Sequence, residues 1–209
     1  MLAKVSAVIP ILLATARLNT ALAVPPSNTI SLRDRAIIAS KIYHQISTFF
    51  PDLSPKQFDQ DYGEYLALIL SSSDDRRNFD LASMSLVATL HDGHTWFYDN
   101  WFDQNYGKPV GFAAYPWDGQ WVVVSSELAS IKVGDVIEAI DGLATQHYYE
   151  RSRKYISASS DRDAGVSFFN TPVLFPSRFT LSLDGGRQVT VDREHDKKQS
   201  HRARRRDGG

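Results

Sequence analysis

The chain has 209 residues, 43% of them hydrophobic and 11% aromatic, which is enough for one sizeable core or two small ones. A formal net charge of -1 supplies no global field toward nucleic acid or an anionic membrane. Cysteine is absent, and that excludes disulfides, thiolate zinc sites and a cysteine nucleophile together.

At the N-terminus Lys4 precedes the apolar run Val5–Ala16, which has signal-peptide length and is too short to span a bilayer. Ala21-Leu22-Ala23 places small residues where signal peptidase reads them. Residues 1–23 therefore read as a signal peptide, and the chain is expected to be secreted or extracytoplasmic with no membrane span after cleavage.

Residues 24–105 read as a helical N-terminal cap domain. Ser31 is the expected N-cap of a first helix, with Ile37, Ile38, Ile42, Ile46 and Phe49 near helical spacing and Pro51 as its stop. Ser54 followed by Pro55 opens a second helix, carrying Phe58, Tyr62, Tyr65, Leu66 and Ile69. Leu68 and Leu70 widen its apolar face. A third helix is expected from about Asn78 to Leu90, with Phe79, Leu81, Met84, Leu86, Val87 and Leu90.

That helix runs into His91-Asp92-Gly93-His94-Thr95, a turn that exposes side chains at the end of a rigid element. His94 is the candidate catalytic residue, because histidine titrates near neutrality and is the commonest general base. Two duller readings stand beside it. His94 also suits a helix end where it satisfies local backbone groups, and Asp92 suits the turn itself. Gly93 breaks the geometry a zinc pair would need and no distant third ligand is marked, so no metal and no other cofactor is expected. The aromatics Trp96, Phe97, Tyr98, Trp101, Phe102 and Tyr106 fit a packing role better than a sugar- or peptide-stacking one.

From about Val110 the period changes to that of strands. Val110–Tyr115 and Trp121–Val124 flank the hairpin turn Asp118-Gly119. Ile131–Gly142 alternates apolar and polar residues and ends in a second Asp-Gly turn. A helix is expected over Gln146–Tyr155, and Phe179–Leu183 with Gln188–Val191 form a last hairpin. Residues 106–193 thus read as a β-sandwich-like module, which makes the chain α+β. From Glu194 to Gly209 six Lys/Arg stand against three Asp/Glu with almost nothing to bury. Residues 194–209 are expected to be a solvated basic tail, not a nucleic-acid site.

Taken in order, a helical region ending in Leu-His-Asp-Gly-His-Thr, a Gly-Phe before a strand, and Ile-Lys-Val-Gly-Asp-Val-Ile-Glu-Ala-Ile-Asp-Gly resemble the tail-specific (C-terminal processing, tricorn-type) serine peptidases. The resemblance covers about residues 31–193. It implies a three-helix domain followed by a PDZ-like module, with Val110, Gly111, Phe112 and Ala113 as the loop and strand that receive the C-terminus of a peptide or protein. It implies for His94 the role of general base to a serine. The family's serine lies in a following α/β domain, and no Gly-x-Ser-x-Gly occurs here. Ser159 and Ser160 lack that strand-to-helix context. The expectation is the front portion of a secreted peptidase, without its catalytic α/β domain and its nucleophile. The alternative is a non-catalytic secreted peptide-binding protein. Substrate sequence and oligomeric state are not legible.

Overall fold

The computed structural model describes residues 28–51 and 53–194. The expected signal peptide and the tail beyond Glu194 lie outside them. The described chain forms two compact units, one running to Trp101 and including Ser157–Ser159, the other comprising Phe102–Ile156 and the chain from Ser160 on. Helices and small antiparallel sheets are both present, so the fold class is α+β.

The first unit is helical: α1 (Leu32–Phe49), α2 (Pro55–Ser71) and α3 (Arg76–Ala88). Ser31 caps α1 by accepting the Asp34 N–H at 3.1 Å. Pro55 opens α2, whose cap residue Ser54 makes no side-chain bond. Asp75 caps α3 two residues earlier than the apolar spacing indicates, accepting the Asn78 N–H at 2.7 Å. The core is built from Ala39, Ile42, Ile46, Phe58, Tyr65, Ile69, Phe79, Leu86 and Val87. Ile37, Phe49, Leu68 and Leu70 are exposed, so the apolar stripes of α1 and α2 are narrower than the sequence suggests. On α2 the residues i, i+4 from Tyr65 take the inward face, and Leu68 and Leu70 fall on either side of it.

Three charged residues, Arg35, Asp80 and Asp99, are buried in this unit among the described residues. Arg35 reaches from α1 to the C-terminus of α2, where its guanidinium donates to the carbonyls of Ile69, Ser72 (3.1 Å) and Ser73 (3.1 Å). Those are carbonyls the helix end leaves without intrahelical partners. Asp80, on α3, has 0% exposure and neither of its carboxyl oxygens is hydrogen-bonded. Arg76 lies between Asp80 (3.9 Å) and Asp99 (2.7 Å) and stacks over the Trp101 ring at 5.2 Å.

Helix α4 (Asn100–Tyr106), absent from the sequence expectation, contains the boundary between the units. The second unit then holds β1 (Phe112–Trp117), β2 (Gln120–Ser126), β3 (Ile137–Ile140), β4 (Leu143–Ala144), α5 (Thr145–Ser152), α6 (Asp161–Phe168), β5 (Arg178–Leu183) and β6 (Arg187–Asp192). Strands β1 and β2 pair as a two-stranded sheet, and the other four are ordered β4-β3-β5-β6. The bridge Val122–Val136 joins the two sheets. Both expected Asp-Gly turns form, with Asp118 and Asp141 at φ 49° and 48°, the left-handed values that the twist of a two-residue hairpin demands.

Helix α6 is the main element that the sequence pattern did not disclose. It is only eight residues long, and Ser160 caps it by accepting the Asp163 N–H at 3.1 Å. Its end delivers Phe168 and Phe169 into an aromatic core with Trp121, Tyr148, Phe175 and Phe179. There Phe169 and Phe175 stack at 5.3 Å and Tyr148 and Phe175 at 5.7 Å. The aromatic run of residues 96–106 does not form one cluster. Phe97 joins the helical core, Trp101 lies under Arg76, Phe102 packs on Tyr106 at 5.4 Å, and Trp96 and Tyr98 stay exposed.

Candidate functional site

The turn after α3 is held by its own short side chains. Thr89 Oγ1 donates to the Leu86 carbonyl at 2.8 Å, and His91 takes φ 51° as the helix ends. Asp92 accepts the His94 N–H at 3.0 Å with one oxygen and the Thr95 hydroxyl at 2.6 Å with the other. Gly93 N–H donates to Ser159 Oγ at 3.0 Å, within the same unit. The Asp92 carboxylate is therefore spent on backbone and hydroxyl. His94 is exposed, and among the described residues its imidazole is hydrogen-bonded to no side chain or backbone group, so no carboxylate orients it. Ser160 is occupied as a cap and donates to Asp163 Oδ2 at 2.7 Å. Among the described residues no three His, Cys, Asp or Glu side chains come together to hold a metal ion.

Val110, Gly111, Phe112 and Ala113 lie together in the second unit, along a cavity of about 490 Å³. The rest of the lining is Pro109, Ser125–Leu128, Phe169, Asn170, Pro172 and Arg193. His94 belongs to the helical unit and lines no part of it. The backbone at this cavity is set by one glycine. Gly111 takes φ +86°, and a Cβ there would meet the Leu128 side chain at 3.1 Å.

The pairing of β1 with β2 decides which of its groups face outward. Glu127 N–H donates to the Gly111 carbonyl at 2.8 Å, so the Phe112–Ser126 pair lies between ladder bonds. The N–H and C=O of Phe112 therefore turn away from β2. The register shifts at Ala113/Ala114, leaving Val124 as the extra residue of a bulge. From the hairpin end, the two-residue turn makes Trp117–Gln120 the closing pair, which turns Ala114 and Pro116 outward. Among the described residues neither Val110 nor Gly111 donates its N–H to any acceptor. Three consecutive residues of the cavity lining thus have backbone N–H groups turned away from β2 or without an acceptor among the described residues.

Arg193 is the residue the sequence reading passed over. It is 6% exposed, and its guanidinium donates to five carbonyls. Those of Pro172 (3.1 Å), Phe175 (2.7 Å) and Pro176 (3.1 Å) come from one segment, and those of Tyr106 (2.6 Å) and Lys108 from the segment leading into Val110. Burial draws its pKa below the usual guanidinium value, with Glu194 opposing. Its signal was the alternation of β6, since Val189, Val191 and Arg193 share one face and Val191 is buried.

The turn of Gly134-Asp135, central to the resemblance, has a structural task. The Asp135 carboxylate accepts from Arg187 at 2.5 Å and from the Lys132 N–H at 2.8 Å. The Arg187 bond, then the backbone one, holds its pKa below the ordinary carboxylate value.

The class these units define, a mixed helix-and-sheet fold, is shared with solved serine-protease structures. A mutant of the chlamydial serine protease CPAF matches with TM-score 0.56 and 15% identity, over 77% of this chain and 33% of that one. Mature CPAF complexed with lactacystin matches with TM-score 0.55 and 15% identity, over 77% and 34% of the two chains. This chain spans about a third of the length of those structures. At such identity the likeness is one of fold. No family model and no curated protein matches the sequence.

Proposed function

We propose that this chain is the peptide-gripping front portion of a secreted serine peptidase of tail-specific type, and that by itself it binds peptide C-termini without cleaving them. In this reading residues 106–193 are a PDZ-like module. The observation that carries it is the cavity lining, where Val110, Gly111 and the outward Phe112 have backbone N–H groups turned away from β2 or without an acceptor among the described residues, with Leu128, Phe169 and Pro172 in the same lining. A chain-terminal carboxylate accepts such donors, while the residues before it add to β1 as a strand. Likeness of fold to a serine protease adds support. His94 stands ready as a general base, yet acyl transfer also needs a hydroxyl within reach, an orienting carboxylate and an oxyanion hole. Among the described residues no hydroxyl and no carboxylate is hydrogen-bonded to the His94 imidazole.

Binding is tested by titrating the purified chain with fluorescent peptides that carry a free C-terminal carboxylate, or the same peptides amidated. The free-carboxylate series should bind at least tenfold more tightly. Equal binding of both, or of neither, defeats the proposal. A purely non-catalytic binding protein is the second reading, favoured by the lack of any group orienting His94.

A further inference from the structure

The cavity is lined by a buried cation, Arg193, that makes no ion pair with a carboxylate among the described residues. Among the described residues every hydrogen bond of Arg193 goes to a carbonyl oxygen, and none goes to a carboxylate. Carbonyl dipoles stabilise a cation but leave its net charge intact. Its neighbour Glu194 is paired with Lys108. The other charged residue on the cavity wall, Glu127, is exposed, so water screens it far more than it screens Arg193, which is 6% exposed. Arg193 Nε is also buried and has no acceptor among the described residues. The same side chain fixes the approach to the binding strand, because Tyr106 and Lys108 are tied through it to Pro172, Phe175 and Pro176.

From this geometry we infer that Arg193 is the specificity-determining residue of the cavity, the buried cation that makes it choose an anionic chain end over a neutral one. The inference rests on the peptide-binding reading above and assigns its selectivity to one side chain. Neutral backbone donors accept a carboxylate and an amide oxygen with less discrimination than a fixed charge provides. Arg193 acts here through its field and through the loop it holds, and the carbonyls it already serves need not be released.

The test is the ratio of affinities for a free-carboxylate peptide and its amidated twin, measured on the full chain by fluorescence anisotropy. Wild type failing to discriminate would overturn the functional reading itself. With wild type discriminating at least tenfold, Arg193→Met should bring the ratio to within twofold of unity. A merely structural role would weaken both peptides alike and leave the ratio standing, which would overturn the inference. Should Arg193→Met not fold, wild type decides by nuclear magnetic resonance. The Arg193 Nε–H signal must shift on adding the free-carboxylate peptide and stay in place with the amide. A signal unmoved by both rejects the assignment.

Discussion

Asp80 keeps a proton that aspartate ordinarily gives up. Burial pushes its pKa up to about 8, Asp99 and Asp75 push the same way, and Arg76 only partly opposes them. Tyr65 faces the same site, hydrogen-bonded to Ser83 at 2.9 Å. The unfolded chain releases this proton near the ordinary aspartate value of 3.8, whereas the folded chain holds it until about 8. Stability from this group is thus complete below 3.8 and drains away as pH rises through 8, a loss on the order of a few kcal/mol. Asp80→Asn mimics the protonated form. Thermal unfolding followed by circular dichroism should show wild type melting lower at about pH 9 than at about pH 6, and the variant losing most of that difference. Arg35 makes a contrasting case, a buried charge whose Nη1 serves the carbonyls at the end of α2. Arg35→Ala strands the carbonyls of Ile69, Ser72 and Ser73 and should cost about 2–4 kcal/mol in urea unfolding. Neither residue was legible from spacing alone. A stripe of apolar residues says which face is inward, and polar residues on that face are easily taken for noise. Arg76, Asp80, Ser83 and Val87 nonetheless keep the helical period, and Asp80 and Ser83 are both buried.

Elements were legible in proportion to their length and punctuation. Caps and prolines place α1 and α2 to within a residue, and the Asp-Gly dipeptides place two hairpins. The short helices α4 and α6 escaped, the latter despite its Ser160 cap, because seven or eight residues hold too few apolar repeats to reveal a period. What makes α6 fit is a close approach. A Cβ on Gly165 would stand 2.6 Å from Pro116 Cγ on β1. Alanine there gains about 1 kcal/mol of helix propensity. Overpacking of about 1–3 kcal/mol outweighs it, since Pro116 has a rigid ring and cannot swing aside. Gly165→Ala should therefore lower the urea midpoint at an unchanged slope. An increase in stability would show that α6 can move off the strand.

For the whole molecule, the sequence disclosed the mixed helix-and-sheet class and a likeness in the direction of serine proteases, both from the order of motifs along the chain. It could not disclose the cavity, whose walls come from residues 109–113, 125–128, 169–172 and 193, brought together only by folding. Nor could it show that Asp92 would be spent on Thr95 and the His94 backbone rather than on the imidazole. Incubation of the full chain with a fluorogenic peptide and a serine-directed phosphonate should give neither turnover nor adduct by mass spectrometry. A stoichiometric adduct would mean that one of its serines is a working nucleophile. Pro116 sets a further limit. Its ring nitrogen has no hydrogen to offer, and it is aimed at the side of β1 that faces away from β2. Any visiting chain laid along that side can zip up beside Phe112 and Ala114, then finds no rung where Pro116 stands. On the peptide-binding proposal the grip would be short, a few terminal residues long, so that otherwise unrelated polypeptides with the same last letters would compete as equals.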